Sequence, residues 1–513
     1  MSRTSGRRSG EPGALRPLGA FVGLAVVAGL LLVASAAADG IPWRGLLLGG
    51  RLREALAGSA EVVAAVLAIA VTVVAIVVEL AANRYSHLIT RLFVREPANL
   101  LVLGLFVITT LQCLWFGPWL GSAAERGARG SVVTMTLVTV SLLSLLPYVY
   151  YVFNFLSPIS IIDKIHANAV RVMRRAPGGR AAVAQEAVCR AVDELQDVAR
   201  SAVVRGDRDI AMAAVDALAA LIEHQHALRG ELQAEWFAIG ENLARDPDFV
   251  ALADETLEEI ATHGVWLETK VLRRLVALVG QSTGQLRDVA NLIAIQTRRL
   301  AVGPGLRRPE LMTVCVRAFN SYLRTALNAK DMRTAYYVQN QYRLVAEALL
   351  AVPDAARVEE IAGHLGYYGQ LAYRAGMPFL LETAAHDLAQ LLAAALDRDD
   401  AVVDALLDRL LELDQEVREE AEEESLLGVR RAQIRTATML LARGQHERAR
   451  RIARDLAPER PERLRRLRHG LETDERPQYW ELIDRGMNFA YLAPELRRHL
   501  PTLFDWIAAE RPR

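Results

Sequence analysis

The chain has 513 residues, 52% of them hydrophobic, and its 60 Lys and Arg are balanced by 60 Asp and Glu. That length holds two or more domains, and the neutral total excludes a uniformly basic nucleic-acid binder. Three cysteines far apart, Cys113, Cys189 and Cys315, form neither a disulfide framework nor a metal site and read as small apolar packing residues.

The averages conceal a partition. Residues 1–160 carry only 12 of the cations and 7 of the acids, so the remainder is charge-rich and slightly acidic. Among the cations only Lys164, Lys270 and Lys330 are lysines. A bias this uniform carries no binding information by itself.

Taken in chain order, an arginine-bearing tail (1–17) precedes four apolar runs, 18–38, 62–80, 100–119 and 132–153. Crossing hydrocarbon as a helix takes about 20 apolar residues, and only helices satisfy their amides there within one segment. Four transmembrane helices are therefore expected across 18–158. Arginines fix the orientation. Arg3, Arg7, Arg8 and Arg16, then Arg84, Arg91 and Arg95, then Lys164, Arg171, Arg174, Arg175 and Arg180 fall on one side. Arg44, Arg51, Arg53, Arg126 and Arg129 fall on the other. The excess predicts cytoplasmic N and C termini in a bacterial inner (plasma) membrane. Trp43, Trp115 and Trp119 then mark the outer interface, and Tyr85, Tyr148, Tyr150 and Tyr151 the inner one. The first run, with its small-residue stretch at Ala34-Ser35-Ala36, also resembles a cleavable signal peptide; its length favours retention.

From Glu61 to about Arg175 the chain resembles DUF2254, a family of bacterial predicted membrane proteins. The residues that carry the resemblance begin with Val77-Val78-Glu79-Leu80-Ala81-Ala82-Asn83-Arg84-Tyr85-Ser86. They continue through Leu92-Phe93-Val94-Arg95-Glu96-Pro97, Leu101 to Phe106 and Tyr151-Val152-Phe153-Asn154-Phe155. Glu79 and His87 depart from the family pattern, which often has an amide and a proline there. The resemblance implies a membrane protein with a cytoplasmic helical region and no known activity.

Residues 159–180 follow. Ile159, Ile161, Ile162 and Ile165 alternate with Lys164, Arg171, Arg174 and Arg175. The pattern reads either as an amphipathic helix on the inner membrane face or as a continuation of the fourth span. Pro177-Gly178-Gly179 ends it. Residues 181–513 show helical periodicity, as at Ile210, Val215, Leu218 and Ile222, without strand alternation. Polar turns at 205–207, 329–331, 398–400 and 443–445 separate helices at uneven spacing. The expected fold is all-α: four transmembrane helices followed by a cytoplasmic helical-repeat, solenoid-like or bundle domain.

Candidate chemistry is sparse. Gly280-Gln281-Ser282-Thr283-Gly284 matches the nucleophile-elbow pattern but follows a helical stretch, not a strand. His224 and His226, two apart on a helix, point apart and read as a solvated helix end. No catalytic residue, metal or cofactor is expected. Glu79 with Thr134, Ser141 and Ser144 could line an ion path along the second and fourth spans, since an ionisable group in a span is costly. Against this, such hydroxyls also serve helix packing. Residues 319–379 concentrate Tyr322, Tyr336, Tyr337, Asn340, Tyr342, Arg343, Tyr367 and Tyr368, side chains suited to a partner groove, with about half of the aromatics expected in the core. The acidic run 416–424 and the arginine-rich run 443–468 read as solvated helix faces. Expected, then, is a non-enzymatic membrane-anchored interaction or sensing protein, with the lipid bilayer and a protein partner, or a homo-oligomer, as its contacts. The alternative is an oligomeric ion channel or transporter.

Overall fold

The structure, a computed structural model, describes residues 51–84, 97–119, 124–155, 157–176, 181–414, 426–478, 485 and 488–511. Most of these residues are α-helical, joined by turns and one 3-10 turn, and they contain no strand. The chain divides into two compact units, Met1–Lys164 and Ile165–Arg513.

In the first unit, α1 (Arg51–Arg84), α2 (Pro97–Trp119) and α3 (Ala124–Phe155) pack on one another. Within α1 and α3, Gly58–Leu80 and Thr134–Asn154 are long and apolar enough to cross a bilayer, while α2 holds the shorter apolar stretch Ala98–Leu114. The expected first span, 18–38, lies outside the described residues, as does Trp43. Only 11% of the first stretch and 22% of the second are covered by protein. Ile69, Leu80, Leu100, Ile108, Leu146 and Phe153 each stand at least 60% exposed. A soluble core helix hides such side chains; here their solvent has to be something other than water.

α4 (Pro158–Arg174) starts in the first unit and ends in the second. It is strongly amphipathic, as expected, but protein fills its apolar face. Ile161, Ile162, Ile165, Ala169 and Met173 are buried, whereas Arg171, Arg174 and Arg175 are exposed and Lys164 is half-buried.

The second unit stacks consecutive helices in two layers. One layer runs α5 (Ala181–Arg205), α8 (Trp266–Ser282), α10 (Pro309–Asn328), α12 (Ala355–Arg374) and α14 (Asp400–Glu412). The other runs α6 (Arg208–Leu228), α9 (Arg287–Val302), α11 (Met332–Leu349), α13 (Pro378–Ala395) and α15 (Leu427–Ala442). Helix α7 (Asp254–His263) lies on α8, and α16 (His446–Leu456), α17 (Pro461–Thr473) and α18 (Leu500–Ala509) close the end. The four polar turns read from the sequence join α5 to α6, α10 to α11, α13 to α14 and α15 to α16. Local chemistry starts these helices. Asp331, Asp354 and Asp399 accept hydrogen bonds from first-turn amides, and Pro309, Pro378 and Pro461 supply a preset φ where no amide proton is needed.

Gly428 in α15 is set by a close approach. A Cβ there would come within 2.3 Å of the Glu382 carboxyl carbon, and that carboxylate pairs with Arg431 at 3.1 Å. Gly428→Ala is expected to push Glu382 off its partner and lower stability by about 1–3 kcal/mol, the usual cost of overpacking. A thermal melt followed by far-ultraviolet circular dichroism measures it.

Candidate functional site

The structure separates the residues that the ion-path reading joined. Thr134, Ser141 and Ser144 are buried between helices, whereas Glu79 is exposed on α1. The hydroxyls are engaged in packing. Thr109 on α2 donates to the Leu105 carbonyl at 2.7 Å, so its one proton is spent and Ser141 donates to Thr109 across the helix pair at 2.8 Å. Ser144 donates to the Ser141 carbonyl. Polar contact therefore runs between the third and fourth expected spans through Thr109, which the sequence reading passed over. Among the expected interface aromatics, Tyr150 is 74% exposed, but Tyr148 is buried in protein; the side chains of Trp115 and Trp119 lie outside the described residues.

The expected partner groove of residues 319–379 needs a comparable correction. Tyr322, Tyr342 and Tyr368 are core residues, as is Asn340. Phe319 stacks on Tyr342 at 4.9 Å, Tyr322 shares a 3.0 Å hydrogen bond with Thr297, and burial raises the Tyr322 and Tyr342 phenols above their ordinary range. Tall side chains were needed to fill the space between α10, α11 and α12. Tyr336, Tyr337 and Arg343 remain half-buried and Tyr367 is 49% exposed, and Arg343 turns inward to Asp387 at 3.5 Å.

His224-Gln225-His226 is not a solvated helix end. Gln225 is fully buried and accepts from the Trp236 indole at 3.0 Å. His226 lies 3.3 Å from Glu268, a wholly buried carboxylate that Arg308 also reaches at 3.3 Å. His224 meets His166 of α4 edge-on at 5.0 Å, and burial, then the neighbouring imidazole, lowers His166 to about 4. The Gly280–Gly284 segment is the last turn of α8 and the start of its connection to α9, with Ser282 buried and bonded to the Val279 carbonyl. No strand precedes it, so it is no nucleophile elbow.

Lys270 centres a buried charged cluster. Its ammonium is fully buried and lies 2.9 Å from Asp193, 2.9 Å from Asp246 and 2.8 Å from Asp248. An ammonium has three protons, and three carboxylates surround it. Arg274 adds contacts of 2.8 Å to Asp193 and 2.7 Å to Asp248. Burial by itself would lower the Lys270 pKa; the aspartate hydrogen bonds outweigh it and the pKa lies above its ordinary value. Asp193 is raised by burial, which its cationic neighbours only partly offset. The cluster ties α5 and the 246–248 turn to α8. Beside it, the Gln185 amide donates to the Trp236 and Ala238 carbonyls and the Trp266 indole donates to the Trp236 carbonyl. This is a structural clamp: its cation is already supplied by the chain. Among the described residues no group of three His, Cys, Asp or Glu side chains is arranged to hold a metal ion.

The arginine run resolves as paired helix faces. Arg448 reaches Asp400 and Asp404 at 2.9 Å each, and Arg463 is buried against Glu459 at 3.1 Å. The acidic run, 416–424, lies outside the described residues.

A concave feature with an apolar floor that the sequence did not reveal is a groove of about 480 Å³ between α7, α8 and α10. Ile260, Leu272, Val276 and Val314 line it. The Glu259–Arg317 ion pair, at 2.9 Å, stands on its rim. The lining residues come from segments about 50 residues apart, and no local pattern joins them.

Comparison with known proteins gives a family and no activity. A family model described as "Predicted membrane protein (DUF2254)" matches residues 15–275, extending past the expected 61–175 at both ends. Among solved structures, a "Circular tandem repeat protein with novel repeat topology and enhanced subunit contact surfaces" aligns at 15% identity over 90% of this chain and 97% of its own, with a TM-score of 0.25. No curated protein matches.

Proposed function

We propose that this chain, which belongs to the DUF2254 family of predicted membrane proteins, is a multi-pass inner-membrane protein whose helical unit docks a protein partner and carries out no chemistry of its own. Four spans with both termini in the cytoplasm remain the topology that the arginine distribution supports. The α7–α8–α10 groove carries the docking reading. Its floor of Ile260, Leu272, Val276 and Val314 is shared by three helices, α7, α8 and α10, an apolar trough of the kind that accepts side chains at i, i+3 and i+4 of an amphipathic helix. The Glu259–Arg317 pair and the nearby Glu310 and Arg273 offer both charge signs to its polar edge. Membrane anchoring concentrates such a module at the inner face, which suits recruitment.

A photo-crosslinking residue at Thr313 or Ser321 in native membranes should yield one discrete adduct whose cross-linked peptide is an amphipathic helix. Val276→Arg, at a half-buried position in the groove, should cut that adduct about tenfold while leaving the fold intact. Equal adduct from the exposed Val204, or indifference to Val276→Arg, would overturn the reading.

A further inference from the structure

On the opposite layer, α11, α13 and α15 hold Arg485 and the turn Asn488–Ala490 of the chain itself. Arg485 enters between α11 and α13. Its guanidinium pairs with Asp387 of α13, a fully buried carboxylate, lies over the Tyr336 ring at 4.5 Å and donates to the Tyr336 carbonyl at 3.3 Å. Four residues later Phe489 stacks on the His386 imidazole at 4.0 Å and sits 6.4 Å from Phe379. Between these anchors the contact is to backbone. Arg435 of α15 donates to the Asn488 and Phe489 carbonyls, at 3.3 and 2.7 Å.

These are the contacts of a peptide complex. One acidic pocket takes a guanidinium, one ring platform takes an aromatic side chain, and one arginine reads main-chain carbonyls without regard to sequence. Two features set the contact apart from ordinary core packing. Placing a charge pair at full burial is a poor source of stability and a better source of selectivity. Moreover, the fit is incomplete. Of the fourteen buried side-chain polar atoms without a hydrogen-bond partner among the described residues, three belong to this face: Gln339 Oε1, His386 Nε2 and Asp387 Oδ2. Such atoms are costly to leave unmade, and a ligand offering more donors and acceptors would gain by meeting them.

We propose that the α11–α13–α15 face is a peptide-binding site held shut in cis by Arg485 and Asn488–Ala490, and that its trans ligand is a peptide presenting an arginine followed four residues later by an aromatic residue. The site shares the docking character of the reading above but none of its residues, so either can fail alone. A tethered segment competes at an effective concentration in the millimolar range, so a free peptide binds the intact chain weakly and an opened chain far better.

The test uses the full chain in detergent and a fluorescein-labelled peptide of residues 484–492. The double variant Arg485→Ala/Phe489→Ala should bind this peptide with a Kd on the order of 10 µM, at least about tenfold tighter than the unaltered chain. Adding Asp387→Asn, or making both alanine changes in the peptide, should abolish that binding. An opened variant with native helix content that binds no better than the unaltered chain overturns the proposal. If the variant fails to fold, hydrogen exchange on the unaltered chain decides. Millimolar peptide should speed exchange at residues 488–492 but not in α13 or α15, and unchanged protection is the overturning result.

Discussion

Replacing Lys270 with methionine is expected to destabilise the helical unit by about 3–5 kcal/mol, because it leaves Asp193, Asp246 and Asp248 facing one another with only Arg274 between them. Methionine nearly matches the lysine stem in volume, so the loss reports charge and not a cavity. Lys270→Arg should also fail. A planar guanidinium cannot sit where three carboxylates converge on a point charge at 2.8–2.9 Å. Asp193→Asn should cost less, since that side chain is 37% exposed and water replaces part of what is lost. Urea titration of the purified chain, read by circular dichroism, ranks the three variants. A Lys270→Met midpoint equal to that of the unaltered chain would show that the cluster contributes nothing.

The second large effect is a pH dependence at Asp414. Its side chain is 1% exposed and its nearest cation, Arg430 at 2.7 Å, also serves Asp455 at 3.1 Å and Glu459 at 3.4 Å. Arg463 adds one more cation, at Glu459, so two guanidiniums face three carboxylates. Burial, only partly offset by Arg430, pushes Asp414 up to about 6 from 3.8. The folded chain then holds a proton between about pH 4 and 6 that the unfolded chain has released. Stability therefore rises as pH is lowered through that window, by up to about 3 kcal/mol at about 1.4 kcal/mol per unit. His166 acts in the opposite sense. Lowered to about 4, it stays neutral in the fold while the unfolded imidazole takes up a proton below 6.5. The difference between the unaltered chain and Asp414→Asn isolates the carboxylate. The variant should lose the rise between pH 7.5 and 4.5 and be the more stable of the two at pH 7.5. A parallel pH profile in both chains would contradict the assignment.

Sequence reading performs best where one physical constraint dominates. Apolar runs and helical periodicity made the all-α class and the membrane character legible, and the turn residues at 206, 330, 399 and 444 fall between helices as read. It performs worst where distant segments meet. The aromatics of 319–379 look alike in the sequence, and only the packing of α10 to α13 decides that Tyr322 and Tyr342 are core while Tyr367 faces outward. Glu79 and Ser141 both look polar in apolar runs, and only helix rotation puts one outside and the other between neighbours. Lysine scarcity had looked like plain composition. At Lys270 one of the three lysines sits where three carboxylates converge on its ammonium. The α7–α8–α10 groove and the Arg485–Asp387 pair join residues about 50 and 98 positions apart, beyond the reach of any local pattern.

The Thr109–Ser141 contact has a consequence for how the membrane unit can move. Each hydroxyl lies one turn from a carbonyl of its own helix, and Thr109 already uses that of Leu105. If α2 and α3 slide apart, Ser141 can turn back onto its own backbone and no proton is stranded in hydrocarbon. The link then works as a detent and not a lock, worth about 1 kcal/mol, so the two helices can change register without crossing a large electrostatic barrier.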